Sequence, residues 1–299
     1  MSVFALKMLA LIAMACEHIG LVFGWDGWAL LPFDASILRY IGRIACPIFA
    51  FCLAEGWRHT RNREAYLSRL ALFAALSQIP FTLAFYPPNL MPHDMETAVW
   101  FFRRQLPVLV VGLVVVAAWW YFGSKKRATA SLWAVAAAAV LPAILLKVGR
   151  MWLLADAFNV LYTLLLGAAV LFLLDQLRTK SLKLWEGLAL AAVLALLIAA
   201  YGIPADYGNY CMGILLIVGL YLTHGSRFRQ AAVIVLWSVV LYGLIFHHWH
   251  NAVAALSAVP ILLYRETRRP QRAGGKWLFY GFYPLHLLVL GICNVVMRL

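Results

Sequence analysis

Apolar runs close in length to the thickness of a lipid bilayer recur along the whole chain, and this repetition limits the fold more than any other feature. A helix needs about 20 mostly apolar residues to cross the hydrocarbon core. Hydrophobic residues make up 65% of the 299 residues and charged residues only 12%. The sequence lacks the short alternating segments that are typical of barrel strands. It therefore predicts an all-α, polytopic bundle of membrane helices, with a single transmembrane domain over residues 1–299.

Eleven runs are predicted to be transmembrane helices. They lie at residues 4–23, 37–57, 66–86, 106–122, 128–146, 158–174, 184–201, 210–223, 230–246, 251–264 and 277–297. The runs at 210–223 and 251–264 are short, and a re-entrant or tilted segment would give the same pattern. These two are therefore the least secure of the eleven.

Lysine and arginine are distributed unevenly over the predicted loops. Alternate loops, among them the one at residues 125–127, carry sixteen of these cations, and the opposite set carries seven. Because cytoplasmic loops are enriched in Lys and Arg, this asymmetry predicts a cytoplasmic N-terminus and a C-terminus outside. Most of the formal net charge of +13 has the same origin. The charge is thus a topology signal, and no nucleic-acid partner is expected.

The first run contains two adjacent ionisable residues, Glu17 and His18, in the stretch MACEHIG. His18 lies about five residues from the outer end of the run, or about 7–8 Å below the outer boundary. Lys7 precedes His18 by eleven residues. The two therefore point within about 20° of each other, whereas Glu17 points about 100° away. Such groups usually face a protein interior or a water-filled cavity, so His18 is either functional or a packed structural histidine.

Four stretches spread over nearly the whole chain resemble the successive signatures of the TraX family, known for the conjugal pilin acetylase. They are LKMLALIAMACEHIG, LRYIGRIACPIFAFCLAEGWRHTRNREAYLSRLALFAALSQIPF, FNVLYTLLLGAAVLFLLD and KWLFYGFYPLHLLVL. The family looks related to a wider group of transmembrane acyltransferases. In that group, cytoplasmic acetyl-CoA supplies an acyl group to an acceptor on the far side of the membrane, and an early histidine serves the chemistry. His18 matches that histidine, whereas Glu17 stands where the usual partner is Asp.

A cluster of cations follows the second run, in the segment EGWRHTRNREAYLSR. A multiply charged nucleotide would be drawn to such a cluster, and Arg offers paired donors to phosphate oxygens. Together with the resemblance, this predicts that the cluster binds the phosphates of acetyl-CoA, while the pantetheine arm runs past the face of Lys7 toward His18. The cofactor-binding cations are Arg58, His59, Arg61 and Arg69. The alternative interpretation is that they only determine topology.

Two residues near the outer ends of their runs are further candidates. Arg43 either stabilises negative charge on the acyl oxygen or forms a salt bridge with Glu17. Asn159 begins a row with Thr163 and Gly167 at a spacing of four, which is typical of helix packing. Its amide could also hold an acceptor or orient a histidine.

The last run contains a second histidine, His286, in the stretch FYGFYPLHLL. It lies about nine residues into the run, near mid-membrane by helical rise. Tyr283 lies one turn earlier, and Pro284 frees a backbone carbonyl beside it. The pattern favours a polar tunnel wall, with Tyr283 predicted to contact the cofactor. His286 either takes part in the chemistry or is hydrogen-bonded to a neighbouring helix.

These residues and the resemblance together predict a multi-pass acetyltransferase of the bacterial inner membrane. His18 would act as general base or carry the acetyl group itself. The further catalytic candidates are Glu17, Arg43, Asn159 and His286. The family favours a protein N-terminus, such as that of a pilin, as acceptor, and an envelope glycan is the alternative.

The rival classes are a membrane transporter and a non-enzymatic assembly factor. Transporters often contain inverted repeats, and the sequence holds no second copy of EHIG or IGRIACPIF. No metal is expected, because the stretch HHWHN has no carboxylate or cysteine at ligand spacing nearby.

Overall fold

The computed structural model of the protein describes residues 1–24, 34–85, 158–179, 184–198, 205, 207, 211–265 and 275–297. Every regular element within these residues is helical, which confirms the predicted all-α fold there. The α-helices are α1 (Val3–Phe23), α2 (Ser36–Gly42), α3 (Ala45–His59), α4 (Arg63–Phe85), α5 (Val160–Arg178), α6 (Leu184–Leu197), α7 (Met212–Leu222), α8 (Arg227–Val235), α9 (Ala258–Leu262) and α10 (Gly275–Val296). A π-helix over Leu236–Ile245 continues α8, and a 3₁₀ helix over Trp249–Ser257 leads into α9.

Six of the described helical segments are long and apolar enough to cross a membrane. They are Val3–Phe23, Ser36–His59, Arg63–Phe85, Val160–Arg178, Arg227–Ile245 and Leu278–Val296. The chain is therefore a multi-pass membrane protein. The predicted total of eleven spans is not supported. Helix α7 has 11 residues, which at about 1.5 Å per residue cover only about 17 Å of a core about 30 Å thick.

The stretch Trp249–Leu262 is likewise among the shorter apolar helices. These two helices correspond to the two predicted runs whose pattern also fits a re-entrant or tilted segment. The runs predicted at 106–122 and 128–146 lie outside the described residues. No feature of the described helices distinguishes the cytoplasmic face, so the predicted orientation of the termini stays a prediction.

Contacts along the chain define two compact units. The first comprises Met1–His59 and Leu215–Arg298, and the second Thr60–Ile214. This division does not test the predicted single domain over residues 1–299. Each unit has its own buried apolar residues, such as Leu6 and Trp57 in the first and Leu171 in the second.

Helix α1 is the centre of the first unit and packs against α2, α3 and α10. It begins after Ser2, whose hydroxyl accepts a hydrogen bond from the Ala5 N–H at 3.2 Å. The Phe4 ring meets the Phe279 ring of α10 at a centroid distance of 5.9 Å. Farther along both helices, His18 meets His286. Because the two contacts occur in the same order along both helices, α1 and α10 run parallel.

Helices α1 and α2 approach most closely at Gly42. A Cβ atom added there would overlap the Cβ of Glu17 and lie 2.8 Å from its Oε2. Gly42 is itself buried. The missing side chain is therefore what allows α2 to lie against the ionisable pair of α1.

We expect Gly42→Ala to lower the free energy of unfolding by about 1–3 kcal/mol, because the added methyl forces packed helices apart. Gly56→Ala on α3 is the matched control, since a Cβ there meets no heavy atom within 4 Å. It should be neutral or slightly stabilising, because alanine restricts the unfolded chain. Thermal unfolding of the two purified variants in the same detergent measures the difference. Equal stability of the two would contradict the close packing at Gly42.

Candidate functional site

Two histidines from the first and last described helices, His18 buried and His286 half-buried, meet inside the first unit. His18 Nδ1 lies 2.7 Å from His286 Nε2. The ring planes differ by only 4°, with centroids 5.0 Å apart. His286 Nδ1 in turn lies 2.8 Å from the backbone carbonyl oxygen of Phe282, one turn earlier in α10. The structure thus joins two of the predicted catalytic residues in one hydrogen-bonded pair.

The order of these hydrogen bonds determines which nitrogens carry protons when both rings are neutral. A backbone carbonyl can only accept, so His286 Nδ1 donates its N–H to Phe282. His286 Nε2 then has no proton and accepts the N–H of His18 Nδ1. The unprotonated nitrogen of His18 is consequently Nε2. The pair therefore presents His18 Nε2 as a base or nucleophile.

Aromatic rings of α10 surround the histidine pair. Tyr283 is 3% exposed, and its ring lies edge-on to His18 and His286 at centroid distances of 6.2 and 5.6 Å. Phe282 stacks on His286 at 4.8 Å. Tyr283, predicted as a cofactor contact, is therefore part of the wall of the candidate site.

Glu17 and Arg43 form an ion pair next to His18 along the chain. Arg43 Nη1 lies 3.2 Å from Glu17 Oε1, and the side chains are 13% and 10% exposed. The sequence left two roles open for Arg43: to stabilise charge on an acyl oxygen, or to form a salt bridge with Glu17. The structure contains the salt bridge. An ion pair this buried holds α1 against the junction of α2 and α3, because separating the partners would leave a charge in an apolar interior.

Lys7 lies on the same face of α1 as His18, as their spacing predicts. Its Nζ lies 5.1 Å from the centroid of the Phe279 ring on α10. Eleven residues separate Lys7 from His18, which is about 16 Å along the helix. Lys7 and the histidine pair thus mark two depths of the same α1–α10 interface.

The cations predicted to bind phosphate fall in both units. Arg58 and His59 end α3 in the first unit, and both are exposed. The Arg58 guanidinium lies 5.7 Å from the ring centroid of Tyr221. Arg61 and Arg69 belong to the second unit. Arg69 Nε is buried and has no hydrogen-bond acceptor among the described residues.

Asn159 also lies in the second unit, where its contacts connect two helices. It is 0% exposed and caps α5, since its Oδ1 accepts from the Leu161 N–H at 3.1 Å. Its Nδ2 donates to the Ala74 carbonyl at 2.9 Å and to Gln78 Oε1 at 3.0 Å, both on α4. These contacts give Asn159 a structural role, and its predicted catalytic role stays a prediction.

We expect Asn159→Ala to lower the free energy of unfolding by about 1–3 kcal/mol, because it removes a helix cap and leaves buried polar groups unsatisfied. Asn159→Asp is the matched variant, since it keeps the cap oxygen and removes the two Nδ2 donations. Thermal unfolding separates the two contributions. Turnover per folded molecule should match that of the parent, and a large loss of turnover at unchanged stability would instead favour the catalytic role.

One polar cluster of the first unit was missed by the sequence-based predictions. Glu55, whose side chain is 5% exposed, accepts three hydrogen bonds on Oε1, at 3.0–3.1 Å. The donors are Arg227 Nη1, Gln230 Nε2 and His224 Nδ1. A carboxylate within the apolar stretch of α3 was the available signal, but nothing in the sequence identified its partners. Among the described residues, no three His, Cys, Asp or Glu side chains converge as metal ligands.

Apolar helices of membrane-spanning length, with a histidine pair and an ion pair buried among them, define a multi-pass helical membrane protein with a polar site inside its helices. The family model described as TraX protein matches residues 2–152 and 106–294. The chain belongs to the TraX family.

A curated relative is similar over the full length of the chain. It is the probable fimbrial assembly protein FimC, serogroup H1, of Dichelobacter nodosus, at 26% identity over 307 residues. The match covers 100% of this chain and 97% of the relative. No solved structure matches.

Proposed function

We propose that the protein is an integral-membrane acetyltransferase that uses acetyl-CoA and has His18 at its catalytic centre. One observation carries the proposal. The Phe282 carbonyl, through His286, leaves His18 with an unprotonated Nε2 inside an apolar helix interface. A buried imidazole held in one tautomer by a second group is the arrangement that general bases and nucleophiles use in acyl transfer.

As a base, His18 Nε2 takes the proton of an amine or hydroxyl while that group attacks the thioester carbonyl. The carbon–sulfur bond breaks, the acyl–acceptor bond forms, and the proton passes from His18 to the departing thiolate of CoA. As an acyl carrier, Nε2 first attacks the thioester itself and releases the thiolate. The acceptor then displaces the acetyl group from Nε2, and its proton passes through the freed Nε2 to the thiolate. In both routes the positive charge that develops on His18 is stabilised through its Nδ1–H by His286 Nε2.

The acyl donor would enter from the cytoplasm with its phosphates at the cations that follow α3. Arg58, exposed at the end of α3, supports this part of the proposal. From Arg43, beside the ionisable pair of α1, to Arg58 is fifteen residues, which is about 22 Å along a helix. A donor with a long flexible arm suits such a separation between its phosphates and its thioester.

The acceptor we propose is the amino terminus of a pilin-like protein, at the outer side of the bacterial inner membrane. Two things support this choice: the resemblance to the TraX family, known for a pilin acetylase, and the name of the relative, a fimbrial assembly protein. A cell-envelope glycan is the alternative acceptor. Its hydroxyl would meet the same base.

Incubation of the purified protein with radiolabelled acetyl-CoA tests the proposal. The acceptors compared would be a pilin-like peptide with a free N-terminus, the same peptide with a blocked N-terminus, and an envelope glycan. Label in the free peptide alone would support N-terminal acetylation. Absence of transfer to all acceptors, by protein that still binds CoA, would favour an assembly factor, and solute uptake into proteoliposomes would favour a transporter.

A further inference from the structure

Arg227, at the start of α8, is held rigidly at the end of the first unit that contains Arg58. Its Nη1 donates to Glu55 Oε1 at 3.0 Å and to Gln230 Oε1 at 2.7 Å. Its guanidinium carbon lies 5.3 Å from the ring centroid of Phe51 and 4.6 Å from that of Tyr264. Two hydrogen bonds and two aromatic faces therefore set the orientation of one guanidinium group.

The opposite edge of that guanidinium remains available. Nη2 and Nε of Arg227 have no hydrogen-bond acceptor in the described part of the chain. The side chain is 25% exposed, so part of Arg227 is open to the surroundings of the protein. An Arg whose fork is already oriented loses little side-chain entropy when it binds a phosphate through two parallel hydrogen bonds.

Positive charge accumulates around this edge. Arg58 lies one turn after Glu55 on α3 and rests on Tyr221. The amino group of Met1 donates to the carbonyl of Leu263, the residue before Tyr264. Glu55 balances one of the three positive charges of Arg227, Arg58 and the Met1 amino group, so this end of the unit favours an anion with more than one negative charge.

We propose that Arg227, with Arg58 beside it, binds a phosphate group at the nucleotide end of the acyl donor. The inference rests on the proposed acetyl-CoA-dependent function and adds a binding residue from a helix remote in sequence from residues 58–69. A phosphate of an anionic lipid headgroup offers the same oxygens. The nucleotide is the better fit because its several phosphate charges match the several cations, whereas a phosphodiester lipid carries one.

In each variant Glu55 either keeps a positively charged partner at position 227 or loses its own charge. No variant therefore leaves the Glu55 carboxylate buried without compensation. Arg227→Lys retains the charge beside Glu55 and removes the fork. The double variant Glu55→Gln with Arg227→Gln removes both charges together. Arg229→Gln is the control, since Arg229 lies two residues away, is exposed, and carries the same charge in the first turn of the same helix. Thermal unfolding confirms that each variant is folded.

The measurement is the Kd for CoA and for pantetheine, each determined by calorimetry on protein in phosphatidylcholine nanodiscs. We expect the Arg227 variants to bind CoA about 10- to 100-fold more weakly than the parent and to bind pantetheine with the parent's affinity. Arg229→Gln should bind both ligands with the parent's affinity. Repeating the measurement with phosphatidylglycerol included tests the lipid source. Unchanged CoA affinity in the folded Arg227 variants overturns the proposal, whether or not they retain less phosphatidylglycerol.

The outcome is separable from that of the proposed function. Suppose that acetyl transfer depends on His18 but not on Arg227, and that the Arg227 variants bind CoA with unchanged affinity. This result would support the proposed acetyltransferase function and contradict the phosphate site at Arg227. If CoA binding depends on Arg227 but the protein transfers no acetyl group, the phosphate site is supported and the acetyltransferase function is contradicted.

Discussion

His18→Ala is expected to lower acetyl transfer by about a hundred-fold to ten-thousand-fold, the usual effect of losing an acid–base group. Affinity for CoA should stay near the parent's, because binding would depend on cations at the other end of α1. The fold should persist, since the substitution removes atoms from a buried site without adding a charge. Turnover at saturating acetyl-CoA and the Kd for CoA, measured on the same preparation, test both statements.

Glu17→Gln is the companion variant, because it changes the neighbouring residue and leaves the histidine in place. Its effect on turnover should be smaller, since Glu17 pairs with Arg43 and faces another direction on α1. A His18→Ala protein that binds CoA and turns over at the parent's rate would contradict the proposed mechanism. One that does not fold would make His18 a structural histidine.

His286 should act as a positioning residue for His18, and its variants should separate that role from simple packing. His286→Leu removes the acceptor for His18 Nδ1–H, so His18 can exchange tautomers and present a protonated Nε2. We expect turnover to fall by about 10- to 100-fold, the equivalent of one hydrogen bond to a charged group lost in the transition state.

His286→Gln is the conservative variant, because its amide oxygen can accept from His18 Nδ1–H. It should restore a large part of the turnover lost in His286→Leu, while both variants bind CoA with parental affinity. If His286 only fills space, the two variants should turn over equally, since both side chains are of similar size. Equal turnover would therefore contradict the positioning role.

The sequence predicted the helices well wherever an apolar run was long and uninterrupted. The runs at 4–23 and 66–86 match α1 and α4 within a few residues at each end. The second run, predicted as one helix over 37–57, is divided between α2 and α3 at Arg43 and Ile44. Hydropathy does not detect such a break, because the whole of Ser36–His59 is apolar enough to form one span. The total of eleven is not supported, and for the runs at 210–223 and 251–264 the reason is that composition does not distinguish a short helix from a full span.

The candidate site was predictable residue by residue but not as an assembly. Spacing alone placed Lys7 and His18 on one face of α1, because that relation depends only on helical geometry. The meeting of His18 with His286 depends on which distant helices pack together, and no local pattern contains that information. The helix cap formed by Asn159 is a separate case. Its position just before an apolar helix is a helix-capping signal, which starting the run at residue 158 concealed.

The parallel contact between α1 and α10 has a consequence for biosynthesis. The two histidines are 268 residues apart, so at about 5–20 residues per second the ribosome needs about 13–54 s to make the second after the first. During that interval the nascent chain holds His18 in the membrane without the acceptor for its Nδ1–H. On the proposed mechanism, acetyl transfer at His18 would reach its full rate only after the last helix has been inserted, and we expect a chain cut short before α10 to transfer acetyl more slowly than the parent.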